Sequence, residues 1–142
     1  MQVQVVDYRA DNAAELFVQS LHNTGFGVLT NHPIKQEIVE SIYANWYKFF
    51  LSEQKKDFAF NPDTQDGYFA PEISETAKGH TKKDIKEYYH LYPWGRIPDS
   101  LKEEIMNYYD LASSLAAELL DWVEKYSPAD VAKLYSEPLS HM

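Results

Sequence analysis

The chain has no cysteine, which removes disulfides, thiolate metal sites and cysteine nucleophiles together. Glycine is sparse, five in 142 residues without clustering, so no glycine-rich loop is available to cradle phosphates. No Gly-x-Ser-x-Gly turn exists to expose a nucleophilic serine. Positive charge is also short, with 13 Lys and Arg against 22 Asp and Glu and a formal net charge of −9. Nucleic-acid affinity comes largely from cations that neutralise phosphates, and anionic membranes select for the same charge. Neither is an expected partner, and acidity spread along a chain in this way serves solubility. Long apolar runs are missing, none approaching the ~20 residues that span a bilayer. The start, Met1-Gln2-Val3-Gln4-Val5-Val6-Asp7, lacks the basic-then-apolar layout of a signal peptide. A cytoplasmic location is the expectation.

What is present reads as a soluble globular chain rich in tyrosine, eleven in all. Its length fits one domain or a substantial piece of a larger one, and folding at this size buries roughly 70% of the unfolded surface. Val3, Val5 and Val6 suggest a short entering strand. Asn12 with Glu15 three positions on has capping-box spacing, and Ala13, Leu16, Phe17 and Leu21 share a helical face. Gly25 stands where a C-cap glycine belongs. Phe26-Gly27-Val28-Leu29-Thr30 is apolar and β-prone, and Asn31-His32-Pro33 ends it. A second helix is expected from about Lys35 to Phe50, with Ile38, Val39, Ile42, Tyr43, Trp46, Phe49 and Phe50 as its stripe. Ser52 to Lys56 opens a further helical turn.

From Asn61 to His80 the pattern dissolves into polar residues around Gly67-Tyr68-Phe69, a long irregular loop of the kind that is often functional. Alternation then sets Ile85, Glu87, Tyr89 and Leu91 on one face and Lys86, Tyr88, His90 and Tyr92 on the other, as in a strand. The longest helix begins near Ser100, again with a glutamate, Glu103, at capping-box spacing, and its stripe runs from Leu101 to Tyr126. Ser127-Pro128-Ala129-Asp130 starts another helix, with serine as cap and proline at the first helical position. The expectation is an α+β, helix-rich chain with about three short strands. Strands need partners for their backbone groups, and strand-poor pieces separated by long helices favour adding to a larger sheet over pairing among themselves.

This order of elements resembles the N-terminal region of the non-haem iron oxygenases that include isopenicillin N synthase and the flavonoid dioxygenases. Val6-Asp7 looks like the family's opening Ile-Asp strand. Gly25-Phe26-Gly27-Val28-Leu29-Thr30-Asn31-His32-Pro33-Ile34 is similar to its Gly-Phe-Phe-x-x-x-Asn-His-Gly-Ile signature, with Pro33 in place of the usual glycine. Phe49-Phe50-Leu51-Ser52-Glu53-Gln54-Lys55 looks like Phe-Phe-x-Leu-Pro-x-Glu-x-Lys, one position shorter and without the proline. Gly67-Tyr68 matches a recurrent Gly-Tyr, and Asp84-Ile85-Lys86-Glu87 a recurrent Asp-x-Lys-Glu. Five matches in the right order, over residues 6 to about 125, give the resemblance its specificity.

The resemblance implies a helical layer, here residues 1–126, that flanks a C-terminal double-stranded β-helix absent from this chain, with residues 127–142 leading towards it. In the family that barrel binds Fe(II) through a His-x-Asp pair and a distant His, leaving positions open for 2-oxoglutarate and dioxygen. An Arg-x-Ser pair holds the far carboxylate of 2-oxoglutarate. Neither pair occurs here. His22, His32, His80, His90 and His141 are followed two places on by no acid, and Arg9 and Arg96 by no serine. No catalytic, cofactor-binding or metal residue is therefore nominated, and the chain alone is expected to bind neither Fe(II) nor 2-oxoglutarate and to be inactive. His32, in its Asn-His turn, is expected to make a structural hydrogen bond, and His22 to be solvated.

Family members place substrate contacts on the Gly-Tyr loop and the following strand, so the resemblance makes Tyr68, Tyr88 and His90 the substrate-pocket candidates. The plainer reading of so many tyrosines is packed core and rim. At the level of the whole chain, the expected role is the scaffold of a small-molecule oxygenase whose partner is the missing barrel. The alternative is a stand-alone, non-catalytic binding module that covers the exposed face by self-association.

Overall fold

The computed structural model describes residues 2–73, 86–128 and 131. The chain divides into two compact units, one of Met1–Gln36 with Tyr108–Met142 and one of Glu37–Asn107.

In the first unit, β1 (Val5–Asp7) pairs in parallel with β2 (Val28–Thr30), Val6 opposite Leu29. Parallel neighbours need a crossover, and helix α1 (Ala13–Thr24) provides it. Ala13, Phe17 and Val18 bury the inner face of α1, and Val6, 2% exposed, joins them. Burying a side chain such as Phe17 stabilises the unit by about 2–3 kcal/mol. Gly25 ends α1 as the pattern predicts: its φ of 77° is the left-handed conformation, and its N–H donates to Leu21 O at 2.8 Å. Asn12 precedes the helix but makes no side-chain capping bond. Its backbone is not in the extended conformation that aims a cap oxygen at the first turn.

Gly27 lies against the Phe17 ring. A Cβ there would lie 2.2 Å from Cε2 of Phe17, so the Phe17 ring fills the space a side chain at this position would need. Ser20, 1% exposed, is satisfied by donating to Phe26 O at 2.8 Å. The later part of α3 (Asp99–Tyr126) closes this unit. Trp122 stacks on Tyr8 at 5.5 Å and meets the Phe17 ring edge-on at 5.9 Å, while Tyr8 Oη donates to Glu118 at 2.5 Å.

The second unit contains α2 (Gln36–Leu51), a 3-10 turn over Glu53–Phe58, β3 (Gly67–Phe69), a second 3-10 turn over Pro71–Ile73, β4 (Tyr88–His90) and the start of α3. Of the broad apolar stripe on α2 only Phe49 is buried, and Tyr43 is 75% exposed. Polar contacts tie α2 to the start of α3: Glu104 accepts from Ser41 Oγ and, at 3.0 Å, from Asn45 Nδ2.

Two expectations are corrected, while the described residues, with four short strands, keep the expected helix-rich α+β class. β3 lies inside the stretch expected to be an irregular loop. Gly67, at φ 112°, turns the chain into register opposite β4, a step that side-chain periodicity does not display. The strands pair among themselves, β1 with β2 and β3 with β4. Finally, α3 starts at Asp99, so Ser100 lies within the helix and not at its cap. Pro98 is among the most buried residues, and Leu101 N–H donates to its carbonyl at 2.9 Å. A residue with fixed φ thus launches the helix one position early. Of the expected helix beginning at Ser127-Pro128-Ala129-Asp130, Ser127, Pro128 and Val131 are described, with Val131 N–H donating to Pro128 O at 2.9 Å; its other residues, the end of the loop at residues 74–80, and Ile85 fall outside the described residues. Among those described, no helix is long and apolar enough to cross a membrane.

Candidate functional site

The β3–β4 ribbon has two faces because side chains alternate along a strand. Opposite partners are Gly67 with His90, Tyr68 with Tyr89 and Phe69 with Tyr88. One face therefore carries Phe69, Tyr88 and His90, and the other carries Tyr68 and Tyr89. The structure brings Tyr88 and His90 together and sets Tyr68 behind them.

On the first face the rings form a continuous surface. Phe69 stacks on Tyr88 at 4.5 Å with the planes 11° apart, and lies 4.4 Å from His90 and 4.2 Å from Phe60. Lys86 Nζ sits 5.5 Å over the Tyr88 ring, within range of a cation–π attraction. Such a surface suits a flat or apolar ligand group. His90 Nδ1 adds one polar point: it is buried and has no hydrogen-bond partner among the described residues. A buried polar atom without a partner is rare enough to call for a reason.

The second face is a polar lock set in aromatic packing. Tyr68 is 6% exposed, and its hydroxyl donates to Glu87 Oε2 at 2.5 Å. Lys55 Nζ donates to the same oxygen at 2.7 Å and to Phe50 O at 2.6 Å, and lies 5.2 Å over the Tyr68 ring. The Lys55 hydrogen bond, helped by that of Tyr68, holds the Glu87 carboxyl below its usual range, and the same bond raises Lys55. Burial, then the hydrogen bond to Glu87, pushes the Tyr68 hydroxyl up. Tyr89 packs 5.1 Å from Trp46 and 5.8 Å from Phe49, and its hydroxyl donates to Arg96 O at 2.5 Å. Burial, reinforced by the charge of Asp66, pushes Tyr89 up to about 12.

A third cluster fixes the turn before β3. Asp66 is 1% exposed, and its carboxylate accepts from Arg96 N–H at 2.5 Å, from Arg96 Nε at 3.2 Å and from Thr64 Oγ1. Arg96 Nη2 also donates to Ala59 O at 2.8 Å. Burial alone would raise Asp66, but the hydrogen bonds from Thr64 and Arg96 and the guanidinium charge outweigh it and lower the group to about 2.

Of the residues that organise this site, Lys55 and Glu87 stand in the sequence motifs but were not singled out, since nothing in a linear pattern says that they meet. Asp66 and Arg96 gave no signal at all, being one acid in a polar stretch and one base after a Trp-Gly pair. His22 is exposed. His32 Nδ1 is buried without a hydrogen-bond partner among the described residues, so the bond expected of the Asn-His turn is not made through that atom. Asn31 instead takes the left-handed conformation, φ 56°, and its hydrogen bond helps lower Asp7 after that from Arg9 N–H.

Among the described residues the donor set does not fit a ferrous centre or its cosubstrate. Among the described residues no three His, Asp or Glu side chains converge. Arg96, which would be needed free to grip a carboxylate, is committed to Asp66 and Ala59.

Residues 3–111 match the family model described as the non-haem dioxygenase in morphine synthesis, N-terminal. The proline hydroxylase buaE of Petromyces alliaceus is 28% identical over 154 residues, covering 88% of this chain and 48% of that protein. The crystal structure of a candidate oxygenase from Shewanella oneidensis superposes with a TM-score of 0.88 and 58% identity, over 100% of this chain and 51% of that one. A Neurospora crassa enzyme crystallised with alpha-KG and 5-formyluracil shares the fold at a TM-score of 0.64 and 24% identity, over 85% of this chain and 43% of its own. The chain thus spans about half the length of the relatives it matches.

Proposed function

Because the chain belongs to the family of non-haem dioxygenase N-terminal regions, matched over most of its length, we propose that it is the scaffold and substrate-pocket-shaping part of an Fe(II)- and 2-oxoglutarate-dependent oxygenase acting on a small molecule. The N-terminal layer is residues 1–126, and residues 127–142 lead towards a catalytic barrel that supplies the metal ligands. Supporting this, the Neurospora crassa relative holds alpha-KG, and this chain corresponds to just under half of that protein's length. Fe(II) and 2-oxoglutarate belong to the whole enzyme. The chain by itself binds neither and is inactive, for want of ligands.

The observation that carries the pocket reading is the shared face of Phe69, Tyr88 and His90. Tyr88 and His90 offer their rings to the substrate, and Tyr68 supports them from the opposite side. Alanine at Tyr88 or His90 in the full-length protein is expected to raise KM or to uncouple 2-oxoglutarate consumption from product. Unchanged kinetics in both variants would sink the reading.

A second reading, a stand-alone binding module, is favoured by the large apolar residues left in solvent, among them Phe26 at 66% and Leu51 at 69% exposure. Such residues are covered by a partner or by self-association. Sedimentation separates the two: a stable dimer of this chain, with no affinity for a separately produced barrel, would favour the module.

A further inference from the structure

We infer that Glu87 is a positioning residue: by accepting from both Tyr68 and Lys55 it fixes the register of β3 against β4, and so decides which face Tyr88 and His90 occupy. The inference rests on the pocket reading only for its kinetic consequence.

Besides the Asp66–Arg96 cluster that brackets the ribbon, few directional contacts set that register. The ribbon pairs three residues with three, and a slip of one residue would turn every side chain of β4 to the opposite face. In the observed register Tyr88 and His90 join Phe69, while Tyr89 packs on Phe49 and Trp46 and Glu87 meets Tyr68 and Lys55. A slipped ribbon would carry the Glu87 carboxylate away from Tyr68 and leave Lys55, 19% exposed, without its counter-charge. Charge-assisted hydrogen bonds of this kind are short and directional, so the correct register is the one in which both can form.

Lys55 is itself anchored by its bond to Phe50 O. The oxygen of Glu87 therefore joins the end of α2, β3 and the lead into β4 at one point. Ring contacts are less directional than these charge-assisted bonds. Three stretches that look unrelated in sequence, Lys55 after the phenylalanine pair, Tyr68 after Gly67, and Glu87 after Lys86, thus act as one device.

The test compares Glu87→Leu with Glu87→Gln in the full-length protein. Its first readout is the NMR ring resonances of Tyr88 and His90, which Phe69 shifts by its ring current. Glu87→Leu is expected to move both resonances and to raise KM about tenfold with kcat within about twofold. Glu87→Gln keeps an oxygen able to accept both bonds and is expected to restore the resonances and most of KM, a rescue that mere bulk at this position would not give. Should Glu87→Leu fail to fold, the double variant Lys55→Met with Tyr68→Phe removes both donors and carries the same expectation. Resonances at wild-type positions in any folded variant lacking these bonds would overturn the inference. Shifted resonances with unchanged KM would uphold it while refuting the pocket reading.

Discussion

The two units are held together in different ways. The unit built on β1, α1, β2 and the later part of α3 relies on apolar contact: Val6, Ala13, Phe17 and Val18 are its core, and Trp122 closes it with ring contacts. The unit of Glu37–Asn107 buries Phe49, Tyr68, Ile97 and Leu101 and adds to them a set of charged and hydrogen-bonded points, Asp66 with Arg96, Glu87 with Lys55 and Tyr68, and Glu104 with Ser41 and Asn45. The reason lies in connection. A helical crossover packs across its own strand pair and fixes it by burial, whereas a three-residue ribbon closed by a long excursion needs directional contacts to choose a register. Apolar burial is not directional, and hydrogen bonds are.

The contrast can be broken at its strongest point first. Phe17→Ala should cost the first unit about 4 kcal/mol, the usual penalty for emptying a buried phenylalanine site. It is read by chemical denaturation followed at Trp122. A loss under about 1 kcal/mol would mean that apolar packing does not dominate there. Asp66→Asn should destabilise the second unit by about 2–3 kcal/mol, less than for a fully buried pair because Arg96 keeps part of its solvent. Here Trp46 is the reporter, and a loss seen equally at Trp122 would remove the distinction between the units.

Acid sharpens the same comparison. The folded-state value of Asp66, about 2, lies below its ordinary 3.8. Its contribution is therefore complete above about pH 4 and is lost as pH falls through about 2, an amount near 2 kcal/mol. The Trp46 signal should weaken across that window in the wild-type chain, and the slope should flatten in Asp66→Asn. A slope unaltered by the substitution would show that other carboxylates carry the acid response. Tyr8→Phe, which removes the hydroxyl bonded to Glu118 but leaves the ring on Trp122, should cost the first unit only about 1 kcal/mol. The exposed pair of Lys56 with Glu53 should matter least: Lys56→Ala is expected to change stability by under about 0.5 kcal/mol, and a larger loss would show that surface charge has been undervalued.

The same contrast explains what was legible beforehand. The extents of α1 and α2, and the length of α3, follow from apolar spacing, a signal every helical turn repeats. Gly25 was readable as a terminator because its residue type and position carry one meaning. The alternation from Lys86 to Tyr92 correctly sorted Glu87 and Tyr89 from Tyr88 and His90. The strand at Gly67–Phe69 was hidden because three residues give too short a run to show a period. Tyr68 was grouped with Tyr88 and His90 by motif, yet antiparallel pairing puts it on the reverse face. The caps at Asn12 and Ser100 were misjudged for a similar reason, since a capping residue acts only if its backbone points the side chain at the helix.

The order of residues by itself determined the helix-rich class, the family, and the lack of any His-x-Asp or Arg-x-Ser pair, because periodicity, motif and inventory are properties of a string. Tertiary structure alone decided that Glu87 meets both Lys55 and Tyr68, that Asp66 is buried on Arg96, and that the Phe17 ring lies over Gly27. Those facts depend on distances between residues far apart along the chain, and such distances exist only once the backbone has folded.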